Sequence, residues 1–388
     1  MTSLERCSAF GVKNIRGMAY MPGPSNYTKG QQGTLYFDSD FYNDDFNNLW
    51  QGGDPDLGRH DLLRFRDQLG VNFIHCYDWS PPIPSLKLRI HTGFLADCNH
   101  FKMKATIPIS NYTMQLLSEG KADEARANVG KIFAEIYPSK APVDGAGMWK
   151  IFNEYELWFD RNPAHVVTVI KWLVEMEVNT GLQDSALMPI MVDTSFGVKD
   201  DIPGAGYIKD VWTAIMGAGK IGGYTPDRFW KERFVFATNP QNDAPYIKNY
   251  LANLLPNYWQ KNNIPIPPVM FTELGSSIKQ TGSEKNQAEW LYAQIEASRP
   301  DTSNGMMLGA CVFLNEERPW EAGPEQEFGI MRFGSDTGWD KPSKNFQATT
   351  YFPGWGAGGK VEKWKGTYPV ERQQPKLAYA SVAKAWHS

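Results

Sequence analysis

The chain has 388 residues, of which 42% are hydrophobic, so it is long enough to bury a substantial core in one large domain or two medium ones. Its formal net charge is −4 and it contains no basic tract, which argues against nucleic acid as a partner. No segment has the length of a membrane span, and the four cysteines form no Cys-x-x-Cys pair, so neither a membrane protein nor a disulfide framework is indicated.

Strand-like and helix-like patterns alternate along the whole chain. Apolar and β-branched runs predict strands over residues 13–20, 71–77, 104–109, 149–154, 187–194, 233–238, 269–275 and 306–314. Near-helical apolar spacing predicts helices over residues 57–69, 91–102, 118–136, 163–180, 246–262, 284–298 and 375–386. Such regular alternation is typical of an α/β protein.

This alternation predicts a (β/α)8 TIM barrel with long loops on the C-terminal face. An open, doubly wound sheet is the alternative, but such a sheet usually has a glycine-rich phosphate turn after its first strand, and residues 20–23 form no such motif. Because the chain has no internal repeat and no Pro/Ser linker, we expect a single barrel domain over residues 1–388, with a long loop or small subdomain inserted at 335–372.

Two of the predicted strands end in a carboxylic acid. Glu154 follows the apolar run of the fourth strand, and Glu273 ends that of the seventh. The C-terminal ends of barrel strands open onto one face, where active sites lie. Glycosidic bond cleavage needs two such acids, one to protonate the leaving oxygen and one to attack the anomeric carbon, so we predict both as catalytic residues. The alternative is that Glu154 opens a βα-loop or caps the next helix.

Other residues in the predicted loops are candidates for sugar binding. The side-chain amide of Asn153 suits a hydrogen bond to a sugar 2-hydroxyl group. Trp79, Trp158 and Trp320 lie in polar, Gly/Pro-rich stretches, where their rings either stack on sugars or pack the loops. Asp78 either binds sugar hydroxyl groups or caps the turn that follows it.

The pattern resembles the clan A glycoside hydrolases, which are (β/α)8 barrels with an Asn-Glu acid/base on strand four and a glutamate nucleophile on strand seven. Residues 268–277 (PVMFTELGSS) are similar to the nucleophile strand of the family 17 β-1,3-glucanases. Residues 313–316 (FLNE), followed by 325–330 (EQEFGI), resemble the strand-eight region of that family. Residues 69–77 (LGVNFIHCY) are similar to the second strand of the family 72 glucanosyltransferases.

The resemblance implies roles for single residues. It implies that Glu154 is the acid/base, that Glu273 is the nucleophile, and that Asn153 contacts the 2-hydroxyl group. It also implies that Glu316 belongs to a polar network or a sugar subsite. The full set of residues predicted to bind substrate is Asn153, Tyr20, Tyr77, Asp78, Trp79, Trp158, Asn239, Tyr246, Glu316 and Trp320.

Two positions depart from the resembled families. His75 stands where those relatives have an arginine near the nucleophile, ahead of the tyrosine that is equivalent to Tyr77, and Arg16 is the proposed substitute for that arginine. The tyrosine expected on strand six is absent. Asn239 occupies its place, either as a site residue or as part of a plain turn, and Tyr246 is the nearest tyrosine.

These residues together predict a retaining β-glycosidase that acts on a β-glucan-like polysaccharide or oligosaccharide by double displacement. The alternatives are a transglycosidase on the same substrates, or a catalytically impaired carbohydrate-binding barrel. The six histidines form no His-x-His or HExxH pair, so neither a metal site nor a cofactor is expected.

The expected partner is a carbohydrate substrate, with no nucleic acid and no membrane partner. The N-terminal residues 1–16 have no apolar run suited to a signal peptide, which predicts a cytoplasmic protein. Secretion would require a leader that has been removed or a dedicated route. The sequence carries no information on oligomeric state.

Overall fold

The computed structural model describes residues 1–23, 40–44, 59–87, 89–303, 305–319, 321–333, 344–352, 362–370 and 373–387. Eight parallel strands form a closed barrel in this part of the chain. They are β1 (Ile15–Ala19), β2 (Phe73–His75), β3 (Lys104–Ile109), β4 (Ala146–Ile151), β5 (Ile190–Ser195), β6 (Phe234–Asn239), β7 (Val269–Leu274) and β8 (Met307–Val312). The predicted (β/α)8 TIM barrel is confirmed, and each predicted strand overlaps an observed one.

The barrel closes between β1 and β8. Ile15 lies opposite Gly309, and Gly17 lies opposite Cys311. A Cβ atom on Gly309, whose φ is 131°, would lie 2.2 Å from the carbonyl oxygen of Ile15. A Cβ atom on Gly17 would lie 2.2 Å from the Sγ atom of Cys311. Glycine at both positions is therefore what allows the first and last strands to approach each other.

Helices surround the barrel. They span Ser3–Ala9, Asp61–Arg64, Thr92–His100, Asn111–Ser118, Ala122–Ile136, Pro163–Thr180, Ala205–Gly217, Pro226–Arg233, Ala244–Asn249, Leu255–Lys261, Ile278–Thr281, Glu284–Ala297 and Leu377–His387. The π-helical turns Phe65–Leu69 and Tyr250–Leu254 extend or join helices. Single 3-10 turns occur at Pro84–Leu86, Tyr155–Leu157, Asp184–Ala186, Pro300–Ser303 and Gly323–Glu327.

Three differences from the predicted helices have a local cause. The predicted helix 118–136 begins at Ala122, because the chain turns at Gly120, whose φ is 74°, after a separate helix that ends at Ser118. Two helices between β5 and β6, Ala205–Gly217 and Pro226–Arg233, were not predicted. The glycines at 217–223 interrupt the apolar periodicity there, although Thr225, which caps the second of these helices ahead of a proline, is a readable start signal.

Short antiparallel strand pairs lie outside the barrel. They are Val198–Lys199 with Ile202–Pro203, Met331–Phe333 with Gln373–Pro375, and Lys344–Phe352 with Glu362–Val370. The last pair falls within the stretch 335–372, for which a loop or small subdomain is predicted. Whether that stretch is a separate subdomain stays a prediction.

The barrel interior contains an apolar layer and, closer to the C-terminal ends of the strands, a polar layer. Phe73, Met148, Met191 and Met270 belong to a buried apolar cluster that is separate from the larger core, which contains strand and helix side chains. Side chains two residues apart on a strand point to the same face. The next inward positions toward the C-terminal ends are His75, Lys150, Asp193 and Thr272, all fully buried. A layer of polar groups therefore lies directly beneath the C-terminal mouth.

Two further expectations concern the whole chain. Among the described residues, no helix has the length and hydropathy that crossing a membrane would require. The four cysteines, Cys7, Cys76, Cys98 and Cys311, are buried and unbridged, as the lack of a paired motif predicts.

Candidate active site

Glu154 is placed by an irregular turn after β4. Phe152 and Glu154 have φ values of 61° and 49°, a left-handed conformation that is unusual for non-glycine residues. The chain then enters the 3-10 turn Tyr155–Leu157. The half-buried Glu154 carboxylate accepts a hydrogen bond of 2.8 Å from the Nδ2 atom of Asn239, at the end of β6. Backbone strain of this kind is typical of functional sites.

Glu273 lies within β7 and is 8% exposed. Its neighbour Thr272 belongs to a hydrogen-bond chain that reaches the other acid. The Thr272 hydroxyl group lies 2.6 Å from the Oδ1 atom of Asn239 and 2.9 Å from the Oδ1 atom of Asp193, so its one proton is shared between two acceptors. Since Asn239 also donates to Glu154, a short chain of hydrogen bonds runs from β4 across β6 to β7. The structure thus brings the two predicted acids to one site.

The two carboxyl groups are coupled electrostatically. Burial raises the pKa of Glu154 to about 7, and the negative charge of Asp193 adds to the effect. Burial raises the pKa of Glu273 well above its ordinary value, and the charge of Glu154 adds to that shift. Like charges in a shared buried site cannot both ionise easily, so the pair retains a proton near neutral pH. Glu273 is the more buried of the two.

Lys150 is the buried cation of the site, and sequence analysis did not single it out. It is fully buried on β4, and its Nζ atom lies 2.6 Å from the Oδ1 atom of Asn153. The same atom lies 3.0 Å from His75 Nε2 and 3.3 Å from Asp193 Oδ2. Arg16, the predicted substitute for the missing arginine, is exposed near the start of β1 and does not take this place. A lysine on the inward face of an apolar strand is the signal that could have identified Lys150.

Asn153 is held on both sides of its backbone. Asn111, which begins the helix after β3, accepts from the Asn153 amide N–H at 2.7 Å and donates to its carbonyl oxygen at 2.8 Å. The side chain is half-buried beside Glu154. Its contact with a sugar 2-hydroxyl group stays a prediction.

Tyr77 contacts the same site from the loop after β2. It is 9% exposed, and its ring lies 4.7 Å from the Nζ atom of Lys150 and 4.8 Å from the His75 ring. Burial raises the pKa of the phenol well above its ordinary value, and the nearby carboxylate of Glu273 raises it further. The hydroxyl group is therefore protonated beside Glu273, and it makes no hydrogen bond of good geometry within the described residues.

Tyr20 and Glu316 lie in a buried ionic network instead of at a sugar-binding surface. The Tyr20 hydroxyl group donates to Asp61 at 2.8 Å, and Glu316 pairs with Arg59 at 3.1 Å and accepts from the backbone N–H of Gly23 at 2.8 Å. Both side chains are fully buried. Their polar atoms are used to fix the loops after β1 and β8, so they present no surface to a ligand in this structure.

Trp79 is also buried. Its ring stacks on His91 with centroids 3.9 Å apart, and its Nε1 atom donates to Glu135 at 2.9 Å. The structure therefore gives Trp79 a role in loop packing, the alternative that the sequence left open. Its neighbour Asp78 is 3% exposed, so it too lies beneath the surface.

The remaining predicted residues lie at the rim. Trp158 is half-buried against the core, between Leu157 and Phe159, which are 46% and 40% exposed. Tyr246 is half-buried on the helix that follows β6, with its ring 6.2 Å from that of Phe196. Leu157 and Phe159 therefore offer apolar surface next to the Glu154 turn. Trp320 lies outside the described residues.

Glu156 is a third acid near the site that sequence analysis missed. It is 5% exposed, and its Oε1 atom accepts from the backbone N–H of Ser195 at 2.6 Å. Burial raises its pKa to about 8, so it carries a proton at neutral pH. Among the described residues, no group of three or more His, Cys, Asp or Glu side chains is arranged to hold a metal ion.

The chain matches no protein-family model and no curated protein in sequence. Similar solved structures include a Bacteroides uniformis β-glucuronidase, with 14% identity and a TM-score of 0.45 over 71% of this chain and 30% of that one. An Exiguobacterium marinum β-glucosidase has 12% identity and a TM-score of 0.48 over 83% of this chain and 94% of that one. A curdlan-specific exo-β-1,3-glucanase from Blastomyces gilchristii has 13% identity and a TM-score of 0.36 over 68% of this chain and 91% of that one. This chain thus spans less than a third of the length of that β-glucuronidase.

Proposed function

We propose that the protein is a retaining β-glycosidase with Glu154 as acid/base and Glu273 as nucleophile. The observation that carries the proposal is the convergence of these two carboxyl groups. Glu154 follows β4 and Glu273 lies in β7. The charge of Asp193 raises the pKa of both groups, and the charge of Glu154 also raises the pKa of Glu273. Paired carboxyl groups at the C-terminal mouth of a barrel are what glycosidic bond cleavage requires.

The reaction divides into two displacements. Glu273 attacks the anomeric carbon while Glu154 protonates the departing oxygen, which leaves a glycosyl ester on Glu273. Formation of the ester removes the negative charge from Glu273. Glu154 then acts as a base toward water, or toward a sugar acceptor if the outcome is transfer.

The proton of the pair must lie on Glu154 at the first step. The unliganded pair holds a proton near neutral pH, because burial and neighbouring negative charge raise the pKa of both carboxyl groups. Binding of the glycosidic oxygen beside Glu154 must place that proton on Glu154, and a positive charge near Glu273 favours this arrangement. The substrate we propose is a β-linked glucan or its oligosaccharides, on the strength of the short motifs that resemble the family 17 and family 72 enzymes.

Labelling tests the assignment directly. A 2-deoxy-2-fluoro-β-glucoside with a good leaving group should trap the glycosyl ester, and peptide mapping should locate it on Glu273. A label on Glu154 would reverse the two roles. A label elsewhere, or no label in a protein that nevertheless hydrolyses β-glucosides, would contradict the proposed mechanism.

Two substitutions test the roles by rate. We expect Glu154→Gln to lower kcat by about 10²- to 10⁴-fold toward substrates with a poor leaving group, and by much less toward aryl glycosides that need no acid. We expect Glu273→Ala to abolish turnover of both substrate types. Glu175, an exposed glutamate on the helix Pro163–Thr180, provides the control substitution Glu175→Gln, which should leave kcat unchanged.

A carbohydrate-binding barrel without turnover is the second candidate. The strongly raised pKa of Glu273 favours it, because a protonated carboxyl group is a poor nucleophile. Wild-type protein that binds β-glucan oligosaccharides in calorimetry, but hydrolyses and transfers none of a broad β-glycan panel, would establish this alternative and end the glycosidase proposal.

A further inference from the structure

The ammonium group of Lys150 is surrounded by polar groups of the site. An ammonium has three N–H donors and no acceptor. Its three polar neighbours, Asn153, His75 and Asp193, lie at 2.6 to 3.3 Å, and the ring of Tyr77 lies at 4.7 Å. Two of the three donors thus have hydrogen-bond acceptors, and the carboxylate of Asp193 lies within ion-pair distance, so the ammonium group is held in place from three sides.

The contact with Asn153 fixes the direction of a side-chain amide. Because Lys150 can only donate, the amide atom that lies 2.6 Å from it is the oxygen. The NH2 group of Asn153 therefore points away from Lys150. Its two donors are the groups of this half-buried side chain that remain for a ligand beside Glu154.

The contact with His75 fixes a second protonation state. Burial lowers the pKa of His75 well below its ordinary value, and the charge of Lys150 lowers it further. His75 is consequently neutral, and its Nε2 atom accepts the hydrogen bond from Lys150. The positive charge at this level of the barrel thus belongs to Lys150 and not to the histidine that replaces the expected arginine.

Lys150 and Asp193 act on the two acids in opposite directions. The charge of Lys150 lowers the pKa of both Glu154 and Glu273, whereas the charge of Asp193 raises the pKa of both. In the ion pair that they form at 3.3 Å, the effects of Lys150 and Asp193 on the pKa values of the two acids therefore oppose each other. The other titratable or charged groups that act on the two acids or on this pair are His75, Tyr77, Glu156, Cys311 and Glu325.

We propose that Lys150 is a positioning residue of the glycosidase site, which orients the Asn153 amide toward the substrate and stabilises the Glu273 carboxylate through its charge. The inference rests on the proposed function. It assigns the positive charge near the nucleophile Glu273 to Lys150 on β4. It also explains how a chain with a neutral histidine at position 75 keeps a positive charge beside its two carboxyl groups.

Carboxyl titration tests the electrostatic part without any substrate. In protein labelled with ¹³C at the glutamate carboxyl carbons, NMR titration gives the pKa values of Glu154 and Glu273, with Glu154→Gln and Glu273→Gln used for assignment. Lys150→Met should raise both pKa values, and Asp193→Asn should lower both. Unchanged values, or shifts of the two variants in the same direction, would overturn the proposal.

A double variant separates positioning from folding. Lys150→Met alone leaves a buried carboxylate without its partner and is expected to lower the melting temperature, whereas Lys150→Met/Asp193→Asn keeps the layer neutral. We expect the double variant to fold with a melting temperature near that of the wild type and with carboxyl pKa values near those of the wild type. Its kcat should nevertheless fall about 10- to 100-fold, because the Asn153 amide is no longer held.

The combination with Asn153→Ala completes the test. If Lys150 acts through Asn153, adding Asn153→Ala to the double variant should cause little further loss of kcat. A double variant with wild-type kcat would show that Lys150 has only a structural role. If the wild-type protein cleaves no glycoside, the proposed function fails on that result alone, while the carboxyl titration still decides whether Lys150 controls the two acids.

Discussion

Asn239 bridges Glu154 and Thr272, the residue before Glu273, through its side-chain amide. Its NH2 group donates to Glu154 at 2.8 Å, and its oxygen lies 2.6 Å from the hydroxyl group of Thr272, the neighbour of Glu273. Donation to a carboxylate favours the ionised form, so Asn239 opposes the burial that raises the pKa of Glu154. This single residue therefore helps to keep the pKa of Glu154 near neutral pH.

Removal of Asn239 should shift the pH dependence in a defined direction. In Asn239→Ala, the pKa of Glu154 should rise above its value of about 7, because the hydrogen bond that lowers it is lost. The basic limb of the kcat/KM profile, which reports loss of the acid's proton, should therefore move to higher pH. Asn242→Ala, the same change at an exposed position three residues later, should leave the profile unchanged. A basic limb that stays in place or moves to lower pH would contradict this role.

At the scale of elements, a buried ionic triad ties the segment 40–44 to the helices beside β3. His91 Nε2 lies 2.9 Å from Asp40 Oδ1, and His91 Nδ1 lies 3.1 Å from Glu135 Oε2. The two carboxylates, working against burial, raise the pKa of His91 to about 10. His91 is thus a charged imidazolium, and Trp79 stacks on it at 3.9 Å.

Loss of His91 should destabilise the protein in a pH-dependent way. His91→Leu leaves two buried carboxylates without their cation, so we expect the free energy of unfolding to fall by about 3–5 kcal/mol at pH 6. Because the folded pKa is raised, the contribution of His91 is complete below its ordinary value of 6.5 and is lost as the pH rises toward about 10. The pKa of Glu135 is lowered, so its contribution is lost as the pH falls below 4.5.

Urea unfolding between pH 4 and 10 measures this difference. The gap between wild type and His91→Leu should be largest between pH 4.5 and 6.5 and should shrink above that range. His100→Leu, the same change at an exposed histidine on the following helix, should alter stability by less than about 0.5 kcal/mol. A gap that widens at alkaline pH would disprove the charged state of His91.

At the scale of the molecule, the seam between β1 and β8 decides whether the barrel closes. Gly309→Ala would place a methyl group 2.2 Å from the Ile15 carbonyl oxygen, at a φ of 131° that L-residues avoid. We expect the free energy of unfolding to fall by about 3 kcal/mol or more. Gly217→Ala is the matched control, since no atom lies within 4 Å and the residue is helical, and it should stabilise by about 0.5–1 kcal/mol. Equal stability of the two variants in urea unfolding would show that the seam tolerates a side chain.

The barrel and the carboxyl pair were predictable because their signals are local. Apolar runs mark the strands, the fixed geometry of a parallel barrel places their ends on one face, and Glu154 and Glu273 stand at two of those ends. The hydrogen bond from Asn239 to Glu154 was not predictable, although Asn239 was a candidate. A sequence gives the position of a polar residue along a strand but not the atom that it will meet across the barrel.

Sequence reasoning leaves alternatives open where burial depends on distant contacts. Tyr20 is predicted to bind substrate, whereas Trp79 is predicted to stack on sugars or pack a loop, and Glu316 to join a polar network or a sugar subsite. Their polar atoms meet partners far away in sequence, which are Asp61, Glu135 and Arg59 respectively. Lys150 was overlooked for the same reason. A lysine in a strand is usually assumed to reach solvent, although its position on the inward face of an apolar strand is a signal that this one is buried.

The polar layer inside the barrel has a consequence for heat tolerance. Charged groups packed into a protein interior contribute less to stability than well-fitted aliphatic side chains of similar volume. A variant with methionine at Lys150 and leucine at both His75 and Asp193 should therefore survive higher temperatures than the native chain while catalysing nothing. The polar layer beneath the C-terminal mouth would then lower the thermal stability of the barrel in exchange for catalytic activity.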